Sequence, residues 1–253
     1  MSIGSKNPDE RRLIGRAAPQ EDWGALQGLL ATTYEFQSDF LETDFLPSVF
    51  DLGAWDDRRR SSRIAMERRL AEMTGAVIML DPHGYRTRPR SMRIEVKPAL
   101  APSRGKLHAK ILLLVHEKAV RLLVGSHNLT EPGWRKNLEI STVLIAEPGQ
   151  TGQILLIREA LETGREILKP WWNVAAQKLH DLALTRLNTF GEGQTVGPDE
   201  FVWSGPERPL WRRFLDHWPA GERIKTITIL SPFWSEESSS NPINQLLDIL
   251  DER

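Results

Sequence analysis

GKLHAKILLLVHEKAVRLLVGSHNLTEPGWRKNLEI, residues 105–140, is the stretch on which the fold turns. Ile111–Val115 and Val120–Val124 are short aliphatic runs, separated by a polar break at His116, Glu117 and Lys118. Two such runs across a short turn predict a β-hairpin. Neither run alternates apolar with polar, so both strands belong inside a sheet covered on its two faces. His108 and Lys110 are two apart and share one face if the first strand begins there. Asn128 follows Gly125 and Ser126 at the far end of the second strand, so the hairpin returns it beside His108. Gly125 permits close backbone approach at that end.

Outward from this hairpin, AVIML (76–80) has strand length and is closed by Asp-Pro. Residues 92–97 alternate as a half-buried strand does, and Ile140–Ala146 is a further run. Helices are expected over Ser61–Met73, with Ile64, Leu70 and Met73 on one side and arginines on the other. They are also expected over Ile154–Leu168, stopped by Pro170, and over Trp172–Leu187. Trp23–Leu30 carries apolar residues at helical spacing. Ala31–Phe50 reads as a strand or turn leading into a short helix that Pro47 interrupts. These elements predict an α/β fold, a mixed sheet between helical layers. Four regions are expected: a flexible arm at 1–19, a main domain at 20–190, a turn-rich connector at 191–224, and from 225 the truncated opening of a second domain.

Imidazole is a competent nucleophile near neutral pH because a useful fraction is unprotonated. Beside it, Lys110 can neutralise a phosphate oxygen as a point charge, and the Asn128 amide can donate to another. Glu139 could hold a histidine Nδ1–H. This is a kit for attacking a phosphodiester with no metal and no cofactor. Taken singly, each piece also has a structural reading: GSHN suits a turn, and Asn128 can cap one. His116 in the turn and His83 in a loop are expected to face solvent, and His127 to be structural. Trp134 is read as core packing or as a platform that flanks substrate by stacking.

The chain has 253 residues and no cysteine, which excludes disulfides and thiol catalysis. No apolar stretch has signal-peptide or membrane-span length, so a soluble cytoplasmic protein is expected. Net charge is −1. From Arg86 to Lys110, however, eight basic residues stand against the single acid Glu95. That local excess would attract a polyanion, or form a solvated basic loop.

With HAK, GSHN and NLE in this order, the string resembles the HxK…GSxN…NxE pattern of the phospholipase D superfamily. The tyrosyl-DNA phosphodiesterase-like branch, in which a tryptophan also follows, looks most similar. TTYEFQSDFLETDFLP (32–47) resembles the first strand and helix of such domains. The resemblance implies a phospholipase D-like domain in which His108 forms a phosphohistidine. Lys110 and Asn128 would bind phosphate, Ser126 and Lys106 would support binding, and Glu139 would match the downstream carboxylate. Val115 stands where the widespread form of the motif has an aspartate, and the tyrosyl-DNA phosphodiesterase branch lacks that acid too. The family builds one site from two HxK motifs; here HAK at 108–110 opens a strand, whereas the other H-x-K triplet, HEK at 116–118, falls in the polar break, so one site motif is read. A second half-site is therefore expected from a further domain or a homodimer. The basic run makes DNA the expected substrate, in end processing, repair or nuclease action. The alternatives are a non-catalytic half-site that binds nucleic acid or a partner, and phospholipid hydrolysis.

Overall fold

The computed structural model describes residues 19–53, 55–99, 106–150 and 152–191. Apart from Pro19 and Gly191, the expected arm, connector and second domain lie outside these residues.

Six strands form one mixed sheet: β1 Leu26–Thr33, β2 Gly75–Leu80, β3 Ile94–Pro98, β4 Lys110–His116, β5 Val120–Gly125 and β6 Ser141–Ala146. Their order is β3-β2-β1-β4-β5-β6. β1, β2 and β3 are parallel neighbours. β4 is antiparallel to β1, and the β4–β5–β6 meander is antiparallel throughout. The predicted hairpin is present, with Lys110 opposite Gly125 and Val115 opposite Val120.

Strand residues alternate between two cores. Leu29, Ala31, Ile78, Leu112, Leu114 and Leu123 enter one face. Leu30, Val77, Met79, Leu113, Val115 and Leu122 enter the other. The first face is covered by residues 38–50 and by α3, Arg60–Glu72. The second is covered by α4, Ile154–Ile167, and α5, Val174–Phe190. Period-2 side-chain alternation with both faces apolar produces the unbroken aliphatic runs.

Three expectations change. Leu26–Thr33 is a strand, not a helix. It is central and buried on both faces, so its apolar spacing carries no period. A Cβ on Gly28 would stand 2.7 Å from Leu179 Cδ2, so the glycine lets α5 seat against the sheet. Next, Pro47 does not interrupt the helix after β1. α1 (Ser38–Phe40) passes through a widened π turn, Leu41–Phe45, into α2 (Leu46–Val49), with Pro47 placed just after the widened turn. In α3, Met66 and Leu70 face the core, while Ile64 is exposed.

His116 is also not in a solvated turn: it ends β4 and is fully buried. Arg121 Nη2 donates to its Nε2 at 3.0 Å, and its Nδ1 faces the Gly24 carbonyl at 3.4 Å. The Trp23 ring lies against both side chains. Burial first, and the Arg121 charge second, push the His116 pKa down to about 4. His127 is likewise buried, and desolvation pushes it down to about 4. Both pKa values are depressed on folding, so the unfolded chain binds more protons wherever the pH lies between about 4 and the ordinary 6.5. Stability from these two groups is complete above 6.5 and lost as pH falls toward 4, by about 3 kcal/mol each at the limit. Urea midpoints measured from neutral pH down to pH ~4.5 should therefore fall steadily. A flat profile would show that neither histidine is held neutral.

Candidate active site

Strand direction brings the chemistry to one end of the sheet. The C-termini of β1, β2, β3 and β5 and the N-termini of β4 and β6 all lie there. His108 precedes β4 and is exposed, whereas Lys110 opens β4 and is 5% exposed. Lys110 Nζ lies 2.9 Å from Nδ1 and 3.1 Å from Nε2 of His108, and donates to the His108 carbonyl at 2.9 Å. A neutral imidazole accepts at only one nitrogen, so the ammonium sits against the ring edge between them.

Burial, and then two cations beside the ring, disfavour its protonation. Burial contributes most to lowering the His108 pKa below the ordinary 6.5, followed by Lys110 and Lys106, against a smaller opposing pull from Asp81. The imidazole is thus neutral at pH 7. Lys110 is brought down to about 8 by burial, with Glu139 opposing, and keeps its charge at that pH. Lys106 is exposed, with Nζ 5.6 Å from the centre of the Tyr34 ring. The Tyr34 ring centre is 5.2 Å from that of His108.

Asn128 is fixed by the end of β1. Its Oδ1 accepts from Glu35 N at 3.1 Å and Tyr34 N at 3.3 Å, while the Thr33 hydroxyl donates to the Glu35 carbonyl at 2.7 Å. Two backbone N–H groups on one atom mark it as the carboxamide oxygen. The Nδ2 hydrogens are the part of the amide left to meet a ligand. Thr33 Oγ1 in turn accepts from Leu129 N at 3.0 Å, and Thr32 Oγ1 ties Ala109 O and Ile111 N. Thr32 and Thr33 thus lock both motif segments to β1. A Cβ on Gly125 would lie 2.6 Å from His127 Nδ1 and 2.5 Å from the Ile140 carbonyl, so only glycine fits that approach.

Ser126 and Glu139 form a hydrogen-bonded pair on the exposed rim, with Ser126 Oγ also accepting from Ile140 N at 3.1 Å. Glu139 takes a second bond from Asn137 Nδ2 at 3.2 Å. Its carboxylate therefore holds Ser126 and Asn137, not a histidine as its expected role had it. Its field still reaches Lys110 and His127. Trp134 is corrected as a substrate platform. It is 2% exposed, and its ring meets Phe45 and His127 edge-on with centroids 4.9 and 4.8 Å apart. Filling the core beneath GSHN, it has no face left to offer.

Sequence reasoning missed Asp81. This fully buried carboxylate ends β2 and accepts Leu107 N at 2.9 Å, anchoring the residue before His108. It also accepts His83 N at 3.0 Å and lies 2.8 Å from His83 Nδ1. Burial alone would raise its pKa, but these hydrogen bonds together outweigh it and hold the group ionised. The available signal was the Asp-Pro that closes AVIML. His83 stays exposed, as expected. Among the described residues no three His, Asp or Glu side chains cluster as metal ligands do, and no helix is long and apolar enough to cross a membrane.

No protein-family model matches the chain, and no curated protein matches it. Among solved structures it is similar to a mutant of yeast tyrosyl-DNA phosphodiesterase, at 10% identity and a TM-score of 0.36, over 66% of this chain and 36% of that one. It is also similar to NucT from Helicobacter pylori, at 16% identity and a TM-score of 0.34, over 62% of this chain and 85% of that one. The chain thus spans about a third of the yeast protein's length. The α/β sheet with helices on both faces stands on its own strand order and register, and the chemistry of the site on its own side chains.

Proposed function

We propose that the chain is a metal-independent phosphodiesterase of the phospholipase D type, acting on DNA through a phosphohistidine. One observation carries this reading: a neutral, exposed imidazole is in contact with a buried ammonium at the sheet end where Asn128 is pinned by its oxygen. His108 attacks phosphorus, forming an N–P bond as the P–O bond to the leaving group breaks. Lys110 and Asn128 Nδ2 hold the non-bridging oxygens, where charge builds. Water then attacks phosphorus and breaks the N–P bond, returning free imidazole. The leaving oxygen's proton comes from a second half-site, in another copy of this chain or in residues outside those described. Leu138 and Ile140, 91% and 72% exposed on either side of Glu139, supply an apolar rim for that half to cover.

The test is hydrolysis of bis(p-nitrophenyl) phosphate in EDTA, followed against pH. In kcat/KM, activity should rise as His108 loses its proton below 6.5 and fall as Lys110 loses its own near 8. In kcat the alkaline limb should move upward, because bound phosphate favours the ammonium. Lys110→Arg should abolish that limb. Activity that vanishes with EDTA, or an alkaline limb that persists in Lys110→Arg, would reject the scheme.

A second reading is a half-site that binds nucleic acid without turnover. It is favoured by the single His–Lys contact, His108 with Lys110, among the described residues. Oligonucleotide binding with no hydrolysis by monomer, dimer or longer chain would select it. Choline release from phosphatidylcholine vesicles, with no action on DNA, would select a lipid substrate instead.

A further inference from the structure

Away from the His–Lys pair lies an open groove of about 620 Å³. Arg60, Arg63 and Arg68 of α3 form one wall, and Arg90 and Arg93 face them from the segment before β3, with Ile64 between and Glu67 as the one acid. Three of these five arginines are not committed to neighbours as the charges of a solvated helix usually are. Glu67 approaches Arg93 at 3.7 Å, and Glu72 approaches Arg69 at 3.4 Å. Arg60, Arg63 and Arg68 make no ion pair or side-chain hydrogen bond among the described residues. Arg90 contacts Asp39 at 3.2 Å and Asp57 at 3.8 Å, both exposed pairs that bind weakly and exchange readily.

The groove's position ties it to the site. β1 and β2 are parallel, so α3 must run back along the sheet from the end where His108 stands. Its first turn, with Arg60 and Arg63, therefore starts near that end. Arg90 is fastened there as well, through Asp39 and through its backbone N–H to Glu42 at 2.9 Å, in the helical segment that follows β1. The basic run of the sequence is thus divided: Lys106 and Lys110 serve the site, and Arg90 and Arg93 serve the groove. From Arg60 to Arg68 the helix rises about 12 Å. That length is enough for the wall to meet more than one phosphate of a strand laid along it.

We propose that this groove is a phosphate track for single-stranded DNA, guiding the strand that extends from the scissile phosphate at His108. Guanidinium forks take phosphate oxygens two at a time, and exposed Ile64 gives sugar and base an apolar floor. The proposal rests on the nuclease reading for its direction, but not for the binding itself.

The test uses Arg63→Ala/Arg68→Ala. In a His108→Ala background, anisotropy of a fluorescein-labelled strand of about 20 nucleotides is followed across ~0.05–0.2 M NaCl. The double variant should bind about 10-fold more weakly, with the slope of log K against log salt reduced by about 1.4, which is ~0.7 per lost phosphate contact. With His108 intact, kcat/KM on the same strand should fall by a similar factor, while bis(p-nitrophenyl) phosphate, too short to reach the groove, is cleaved unchanged. Unaltered affinity and slope, or equal losses on both substrates, would overturn the track, as would a parent chain that does not bind the strand. Arginine-dependent binding with no hydrolysis of either substrate would keep the track and remove the phosphodiesterase.

Discussion

Replacing His108 with alanine is expected to lower phosphodiester hydrolysis by about 10⁴-fold or more, while leaving the thermal midpoint within about 1 °C and strand binding intact. The size follows from the role. Without the imidazole no N–P bond can form, and only positioning by Lys110 and Asn128 remains. The unchanged stability follows from exposure. His108 lies outside both hydrophobic cores, and its removal leaves Lys110 Nζ with the residue-108 carbonyl as a partner. Acid quench with a labelled substrate adds a second readout: the parent chain should yield an acid-labile phosphoenzyme, and His108→Ala none. Retained turnover in the variant would end the proposal, because no other exposed imidazole lies against a buried cation among the described residues.

The second large effect is expected from Asn128→Asp. The substitution keeps the shape and the oxygen that accepts from Glu35 N and Tyr34 N. It replaces the Nδ2 donor with an anionic oxygen facing the same phosphate as Lys110. Loss of one such donor costs about 10²–10³ in rate, and like-charge repulsion adds to it. The fold should persist, because the two backbone N–H bonds that fasten Asn128 to the end of β1 survive and are strengthened by charge. Asn128→Ala is the contrasting variant. It loses both the donor and the fastening, and leaves two backbone N–H groups of β1's end short of a partner, at about 1–3 kcal/mol for each buried donor left unpaired. If Asn128→Asp cleaves diesters at the parent rate, the amide has no part in the chemistry, and its work is to hold the turn.

Much of the framework was readable because its causes are local. The aliphatic runs at 111–115 and 120–124, the polar break between them, AVIML and the amphipathic α4 each carry their own signal. β1 did not, because a central strand covered on both faces loses its period, and helical spacing in Trp23–Leu30 was the accident left behind. His116 was misjudged for a related reason. Glu117 and Lys118 follow it in sequence, and only the packing of Trp23 and Arg121, far off or across the turn, seals it. Trp134 shows the opposite case. Adjacency to the motif along the chain is no measure of accessibility, and the ring's contacts with Phe45 and His127 decide it.

His108, Lys110 and Asn128 were legible as a set because a hairpin with two-residue side-chain alternation must bring them to one sheet end. That much the order of residues determines by itself. Burial around the set was decided by the tertiary structure: Lys110 is sunk enough to come down to about 8, and Asp81 is carried in from β2 to anchor Leu107. The pairing of α3 with the segment before β3, which lines the arginine groove, was decided there too. The physical reason is range. Strand period and turn chemistry act over a few residues, whereas desolvation and charge fields depend on which distant segments the sheet order sets side by side.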